Sequence, residues 1–167
     1  IDLLQWFLGP VEWVKGSCKT VSHQIEVEDL GLAILRFQGG AMGVIEGSTA
    51  IYPGFPQQIE LHGEKGSIIL ESDQIAFWKL QDFPQPTDFS LLTEKVDTSS
   101  SPTAGFSSEY HYHQIQEFIG AVKENRSPLV DGVEGRKSLE IVRAIYLSSK
   151  IGESIYFPVR DEKEETL

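Results

Sequence analysis

The side chains able to move protons or hold ions are few in this chain and widely spaced. His23, His62, His111 and His113 are its histidines, and none stands in a His-Glu-x-x-His or other tight ligand spacing. A metal site is therefore not expected, because a metal needs ligands that converge on one face. His111 and His113 are two residues apart and would point in different directions on a helix. No Ser-His-Asp order or nucleophile elbow is present. Gly63-Glu64-Lys65-Gly66 is too short for a phosphate loop and has no helix after it, so it reads as a hairpin turn. No Gly-x-Gly-x-x-Gly occurs, so the chain carries no dinucleotide fold of its own. No catalytic residue and no cofactor-binding residue is expected within these 167 residues.

What remains is binding chemistry. Ala50–Gln57 (AIYPGFPQ) holds two prolines and a glycine, and places Tyr52 and Phe55 on a stiff, irregular loop. Large rings on a rigid loop can shape a pocket. They can equally plug the end of a sheet, and the residues alone leave both readings open. His111 falls at the first turn of a helical pattern, where a neutral imidazole could hydrogen-bond a ligand hydroxyl. The plainer alternative is a solvated helix-start residue.

The elements that must hold these groups are legible from periodicity. Ile1–Leu8 reads as a helix, with Leu3, Leu4, Phe7 and Leu8 on one side and Gly9-Pro10 ending it. Val11–Val21 reads as a strand, and Ser22–Glu28 as a polar bend. Leu30–Phe37, Ala41–Thr49, Gln58–His62, Ser67–Glu71 and Ile75–Leu80 then read as strands of an antiparallel meander, the first pair joined at Gln38-Gly39-Gly40. Gln58–His62 alternates cleanly between apolar and polar. Leu32–Leu35 and Ile68–Leu70 do not, so both faces should be covered there.

Gln81–Phe106 holds Pro84, Pro86 and Pro102 with a Thr-Ser-Ser-Ser run, and reads as a long surface excursion. A helix capped by Ser107 or Ser108 follows, in which Tyr112, Ile115, Ile119 and Val122, with Phe118, form one apolar stripe. Asn125 and Pro128 end it. Asp131 and Glu134 form a capping box for a last helix that Gly152 stops, and Glu153–Val159 is a final short strand. The fold class is α+β: a mainly antiparallel sheet with helices packed on one face. The other face needs a partner, and is read as an interface.

Composition narrows the function further. The formal charge is −11, from 25 acidic and 14 basic residues, which argues against a nucleic-acid surface. No apolar run approaches the ~18 residues that span a membrane, and no secretory leader pattern is visible. The single Cys18 excludes an intramolecular disulfide and fits a reducing compartment, so a cytoplasmic location is expected. Because the sequence begins at Ile1 inside a helical pattern, we expect a truncation, with chain removed upstream.

Several stretches together resemble the C-terminal domain of the Gfo/Idh/MocA oxidoreductases, the glucose–fructose oxidoreductase and inositol dehydrogenase family. They are Ile1–Gly9 (IDLLQWFLG), Glu28–Phe37 with Gly39–Gly43, Ser48–Pro56 (STAIYPGFP) leading to Glu60–Ser67 (ELHGEKGS), His111–Phe118 (HYHQIQEF) and Pro128–Gly132 (PLVDG). Each is modest alone; their order and spacing are specific. The resemblance implies a ferredoxin-like, dihydrodipicolinate-reductase-like C-terminal domain over 1–159, with 82–107 a long loop and 160–167 an acidic tail.

It also implies a parent enzyme in which an N-terminal Rossmann domain binds NAD or NADP and this domain shapes the pocket for a sugar, polyol or related hydroxy compound. The family's lysine motif is absent. Its histidine would fall three residues before Asp2, just ahead of Ile1. The chain alone is expected to be inactive and to bind no cofactor. Tyr52, Phe55 and His111 are the expected substrate contacts. The sheet face opposite the helices is expected to make a homodimer or tetramer. The competing readings are a non-catalytic ligand-binding or dimerisation module, and a relative acting in the regulation or transport of sugars.

Overall fold

The computed structural model describes residues 1–72, 74–84 and 108–159, with side chains of the second helix described from 110 onward. The long excursion at 82–107 and the tail at 160–167 lie almost wholly outside these residues. Two compact units divide the chain, Ile1–Ala50 with Tyr112–Leu167, and Ile51–His111.

In the first unit, α1 (Asp2–Leu8) leads to β1 (Val11–Lys19), β2 (Leu30–Phe37) and β3 (Met42–Ser48); α2 (Ser108–Lys123), α3 (Gly132–Ile151) and β7 (Ile155–Tyr156) complete it from the C-terminal end. The strands form an antiparallel sheet in the order β3-β2-β1-β7. Period-two alternation sends Ala33, Leu35 and Phe37 of β2 to one face, where they meet Val11 and Val14 of β1. α3 covers that face with Ile141, Ala144 and Ile145. Leu4 and Leu8 of α1 pack against the same core, whereas Leu3 and Phe7 stay exposed.

α3 is defined at both ends by its sequence. The Asp131 side chain accepts the Glu134 N–H, and Gly152 takes the left-handed conformation that lets its N–H close on the Ser148 carbonyl. The helix approaches β1 closely because residue 16 is a glycine. A Cβ there would stand 2.8 Å from Ile145 Cγ2 and 3.3 Å from the Leu32 carbonyl oxygen. β7 pairs with β1 only at Trp13 and Val14. Beyond it the strand edge is closed by helix hydroxyls: Gly16 N–H donates to Ser148 Oγ at 2.9 Å and Cys18 N–H to Ser149 Oγ at 2.8 Å. Ser148 Oγ in turn donates to the Glu153 carbonyl. Buried backbone groups left without partners would be costly, so these two serines are structural.

The second unit holds β4 (Gln58–Gly63), β5 (Gly66–Glu71) and β6 (Gln74–Leu80) as a separate antiparallel sheet. The α+β class with antiparallel sheets therefore stands. The continuous meander expected from Asp29 to Leu80 does not: β3 and β4 are unpaired, and the strands divide between two sheets. The Pro-Gly-x-Pro stretch between them offers too few backbone donors in extended geometry to carry a ladder across. In this sheet Leu61, Ile68 and Trp78 share one row and His62, Ser67 and Lys79 the next. Ile69 lies in the row of Glu60 and Phe77, and Ile68, Ile69 and Leu70 are all half-buried, so neither face of this run is fully open.

The apolar stripe of α2, Tyr112, Ile115, Phe118, Ile119 and Val122, is exposed. The side of α2 that meets its own chain is the small and polar one. Ala121 is buried, and the turn after the helix folds back so that Arg126 and the Leu129 N–H both bond the Glu117 carboxylate.

Candidate functional site

The Tyr52–Phe55 segment leaves the first unit from a firmly held point. Asp29, the residue before β2, is buried, and its carboxylate accepts three backbone N–H groups, Val21 at 2.6 Å, Ser22 at 2.9 Å and His23 at 2.8 Å. His23 Nδ1 lies 3.0 Å from the same carboxylate. These donors, Val21 first, hold the Asp29 carboxyl well below the usual carboxylate range against the opposing effect of burial. The Asp29 main chain works as well. Its carbonyl accepts the Thr49 N–H at 3.0 Å and the Ser48 hydroxyl at 2.9 Å, at the end of β3. One residue thus ties the β1–β2 bend to the point where the chain departs for the aromatic loop. Nothing in the sequence pattern singled out Asp29; only its place between a polar bend and a strand hinted at an Asx-type turn.

The loop itself belongs to the second unit. Tyr52 is 96% exposed and Phe55 79% exposed, so neither ring plugs a sheet end. His111 stands in the first turn of α2, exposed. Among the described residues none of Tyr52, Phe55 and His111 has a side-chain hydrogen bond or ring partner. All three are open to a ligand, and no protein contact brings them together.

Asp2 has a more definite setting. Ser138 Oγ on α3 donates to its Oδ1 at 2.7 Å, and Gln5 Nε2 reaches both Asp2 at 3.2 Å and Ser138 at 3.1 Å. The Ser138 hydroxyl, then Gln5, lower the Asp2 pKa. Asp2 is thereby held ionised as an acceptor at the start of α1. Beside this triad a cavity of about 460 Å³ opens, lined by Gln5, Trp6, Gln38, Lys137, Glu140 and Phe157 among others. Its polar groups are largely spoken for: Lys137 pairs with Glu134, and Glu140 accepts the Val159 N–H.

On the second sheet His62 bonds Ser67 Oγ through Nδ1 at 2.9 Å and Glu60 through Nε2 at 3.0 Å. The order resembles a nucleophile relay. Its His62 and Glu60 side chains are half exposed, however, so water competes for every bond. No group of three or more potential metal ligands converges among the described residues. No helix among them is long and apolar enough to cross a membrane.

Comparison with known proteins gives this arrangement its context. A family model described as the GFO/IDH/MocA C-terminal domain matches residues 1–69. This chain belongs to that family. The GFO/IDH/MocA domain is 30% identical over 137 residues to the myo-inositol 2-dehydrogenase of Thermotoga maritima, a match covering 74% of this chain and 38% of the relative. Among solved structures it is similar to the WlbA dehydrogenase of Bordetella pertussis, in complex with NADH and UDP-GlcNAcA, at 31% identity and TM-score 0.75, over 95% of this chain and 42% of that one. The WlbA dehydrogenase of Chromobacterium violaceum, with the same two ligands, matches at 30% identity and TM-score 0.76, over 96% of this chain and 44% of that one. The chain thus spans less than half the length of these relatives.

The fit of a nicotinamide dinucleotide to this domain can be tested on its backbone. A dinucleotide fold needs parallel strands joined by a Gly-rich turn that opens a helix. Every strand pair among the described residues is antiparallel, and the Gly-rich signature is absent from the sequence. The residues here do not fit the phosphate-binding part of such a cofactor.

Proposed function

We propose that this chain is the substrate-binding and assembly half of an NAD(P)-dependent dehydrogenase that acts on a sugar, polyol or related hydroxy compound. The observation that carries the reading is the likeness over 95% and 96% of the chain to two dehydrogenases solved with NADH and a nucleotide sugar. The cofactor belongs to a Rossmann half that the 167 residues do not include, so this half alone has no activity. Its contribution is a wall of the substrate pocket. Tyr52 and Phe55 stand free on a proline-stiffened loop whose departure Asp29 fixes, so little freedom is lost when a sugar ring stacks on them. His111 offers a donor or acceptor for a hydroxyl.

Steady-state kinetics of Tyr52→Ala, Phe55→Ala and His111→Ala in the full-length polypeptide test the site. Substrate kcat/KM falls well beyond twofold in at least one of them, with cofactor binding unchanged. If all three stay within about twofold, roughly 0.5 kcal/mol, the assignment is wrong. Micromolar NADH binding to the 167-residue chain, measured by calorimetry, would overturn the division of labour.

The same reading gives the outer face of the four-stranded sheet to a second copy. Leu32 and Ile34 of β2 and Met42 and Val44 of β3 are exposed side by side there, opposite the α3-covered face. An apolar centre of this kind, rimmed by Lys15, Arg36 and Glu46 in the same rows, favours an isologous pairing in which charges of both signs can meet across the two-fold. Sedimentation of Ile34→Lys tests it, since a charge at the centre of the face shifts the oligomer to monomer.

A further inference from the structure

We propose that the apolar stripe of α2 is the surface on which the cofactor-binding half of the full-length polypeptide docks, helix against helix. The inference rests on the two-part reading above and goes beyond it by assigning the contact.

Tyr112, Ile115, Ile119 and Val122 follow one another at intervals of three, four and three residues, with Phe118 beside them. At 100° per residue the five side chains fall within one strip about 120° wide. They expose between 40% and 66% of their surface. The opposite side of the helix is already used by its own chain, through Ala121 and the Glu117–Arg126–Leu129 bonds. The stripe is therefore the face α2 was built to bury, and nothing among the described residues of the first unit buries it.

Three observations decide the occupant. First, the relatives carry more than as much chain again, since this chain covers only 38% to 44% of them. Second, the three-four spacing forms the ridge that interlocks with another helix. A cofactor-binding α/β half displays helices on both faces of its sheet, so it supplies that shape. Third, the stripe is narrow. Five side chains fall well short of the ~800 Å² per partner of a stable association between separate molecules. A tethered half meets no such threshold, because covalent linkage supplies a high effective concentration. A second copy of the chain has the broader sheet face available instead.

The test uses the full-length polypeptide with a photo-crosslinking amino acid, p-benzoylphenylalanine, replacing Ile115 in one variant and Val122 in another. Both positions are exposed, so the domain's own fold tolerates them. After irradiation of a mixture of light- and heavy-isotope protein, crosslinked peptides are mapped by mass spectrometry. The expected result is a crosslink at both positions to a peptide outside these 167 residues, within one isotope label. Crosslinks within the 167 residues, crosslinks joining light to heavy chains, or none at all would overturn the proposal. NADH titration of the unmodified protein is read separately. Failure to bind NADH there sinks the dehydrogenase reading without touching the crosslink map, and a wrong crosslink map leaves the NADH result standing.

Discussion

α3 and α2 carry similar apolar spacing, and the fold treats them in opposite ways. α3 presses Ile141, Ala144 and Ile145 into the sheet, with Gly16 making room and Ser148 and Ser149 closing the strand edge. α2 turns its small and polar side to its own chain and leaves its aliphatic side bare. Amphipathic periodicity thus states that a face is to be buried, and is silent on what buries it. The difference lies in partners outside the helix: β1 has a glycine and two N–H groups waiting for α3, and among the described residues no strand offers α2 an equivalent.

This contrast can be broken by substitution. The largest effect is expected from Ile145→Ala, which removes a buried side chain from the helix–sheet seam and costs about 2–4 kcal/mol in denaturant unfolding of the chain. Gly16→Ala follows, at roughly 1–3 kcal/mol, because the added methyl collides with Ile145 and carbonyl oxygens that cannot both retreat. Ser148→Ala strands the Gly16 N–H and the Glu153 carbonyl, and a similar or slightly smaller loss of about 1–2 kcal/mol is expected. Ile115→Ser on α2 should change the stability of the 167-residue chain by no more than about 0.5 kcal/mol, since the residue is exposed. A loss as large as that of Ile145→Ala would end the contrast.

Acid titration sharpens it from another side. The Asp29 carboxyl titrates well below its unfolded value of about 3.9. Its stabilisation is therefore complete above roughly pH 5 and drains away as the pH falls through 4 toward the folded pKa. The stability gap between wild type and Asp29→Asn should be widest near neutrality and narrow steadily on acidification. A gap that stays constant from pH 6 to pH 3 would mean that the carboxylate charge is not what holds the bend.

Much of this was readable in the residues. The hairpin at Gln38–Gly40, the Asp131–Glu134 cap and the Gly152 stop are local signals, and local geometry obeys them. The burial of α3 followed from its apolar pattern only in part: Ile141 and Ile145 are buried, whereas Leu139 and Tyr146, which the same pattern assigns to the buried side, are exposed, and the small Ala144 completes the seam. The family was legible in short stretches whose order and spacing matched. Less legible was whatever depends on residues far apart in sequence. Ser148 and Ser149 look like ordinary surface serines until β1 is placed beside them, 132 and 131 residues away. Asp29 gives no sign of gathering Val21, Ser22, His23 and Thr49, because no periodicity encodes a carboxylate aimed back at a bend. The break between β3 and β4 was announced by Pro53, Gly54 and Pro56, yet strand-like runs on both sides suggested continuity. The stripe of α2 is legible as a stripe, but a helical pattern does not state what covers it.

The pair of hydroxyls on α3 has a mechanical meaning. Helices packed by apolar side chains alone can creep along or roll over a sheet at small cost, since one ridge position is much like the next. Here consecutive residues of the helix are keyed to alternate residues of the strand, Ser148 to Gly16 and Ser149 to Cys18. Sliding by a turn would break both bonds at once and drive Ile145 into the strand at a position that is not glycine. The helix and strand therefore behave as a rack and its pinion locked at a single tooth, and any movement of this unit must carry them as one piece.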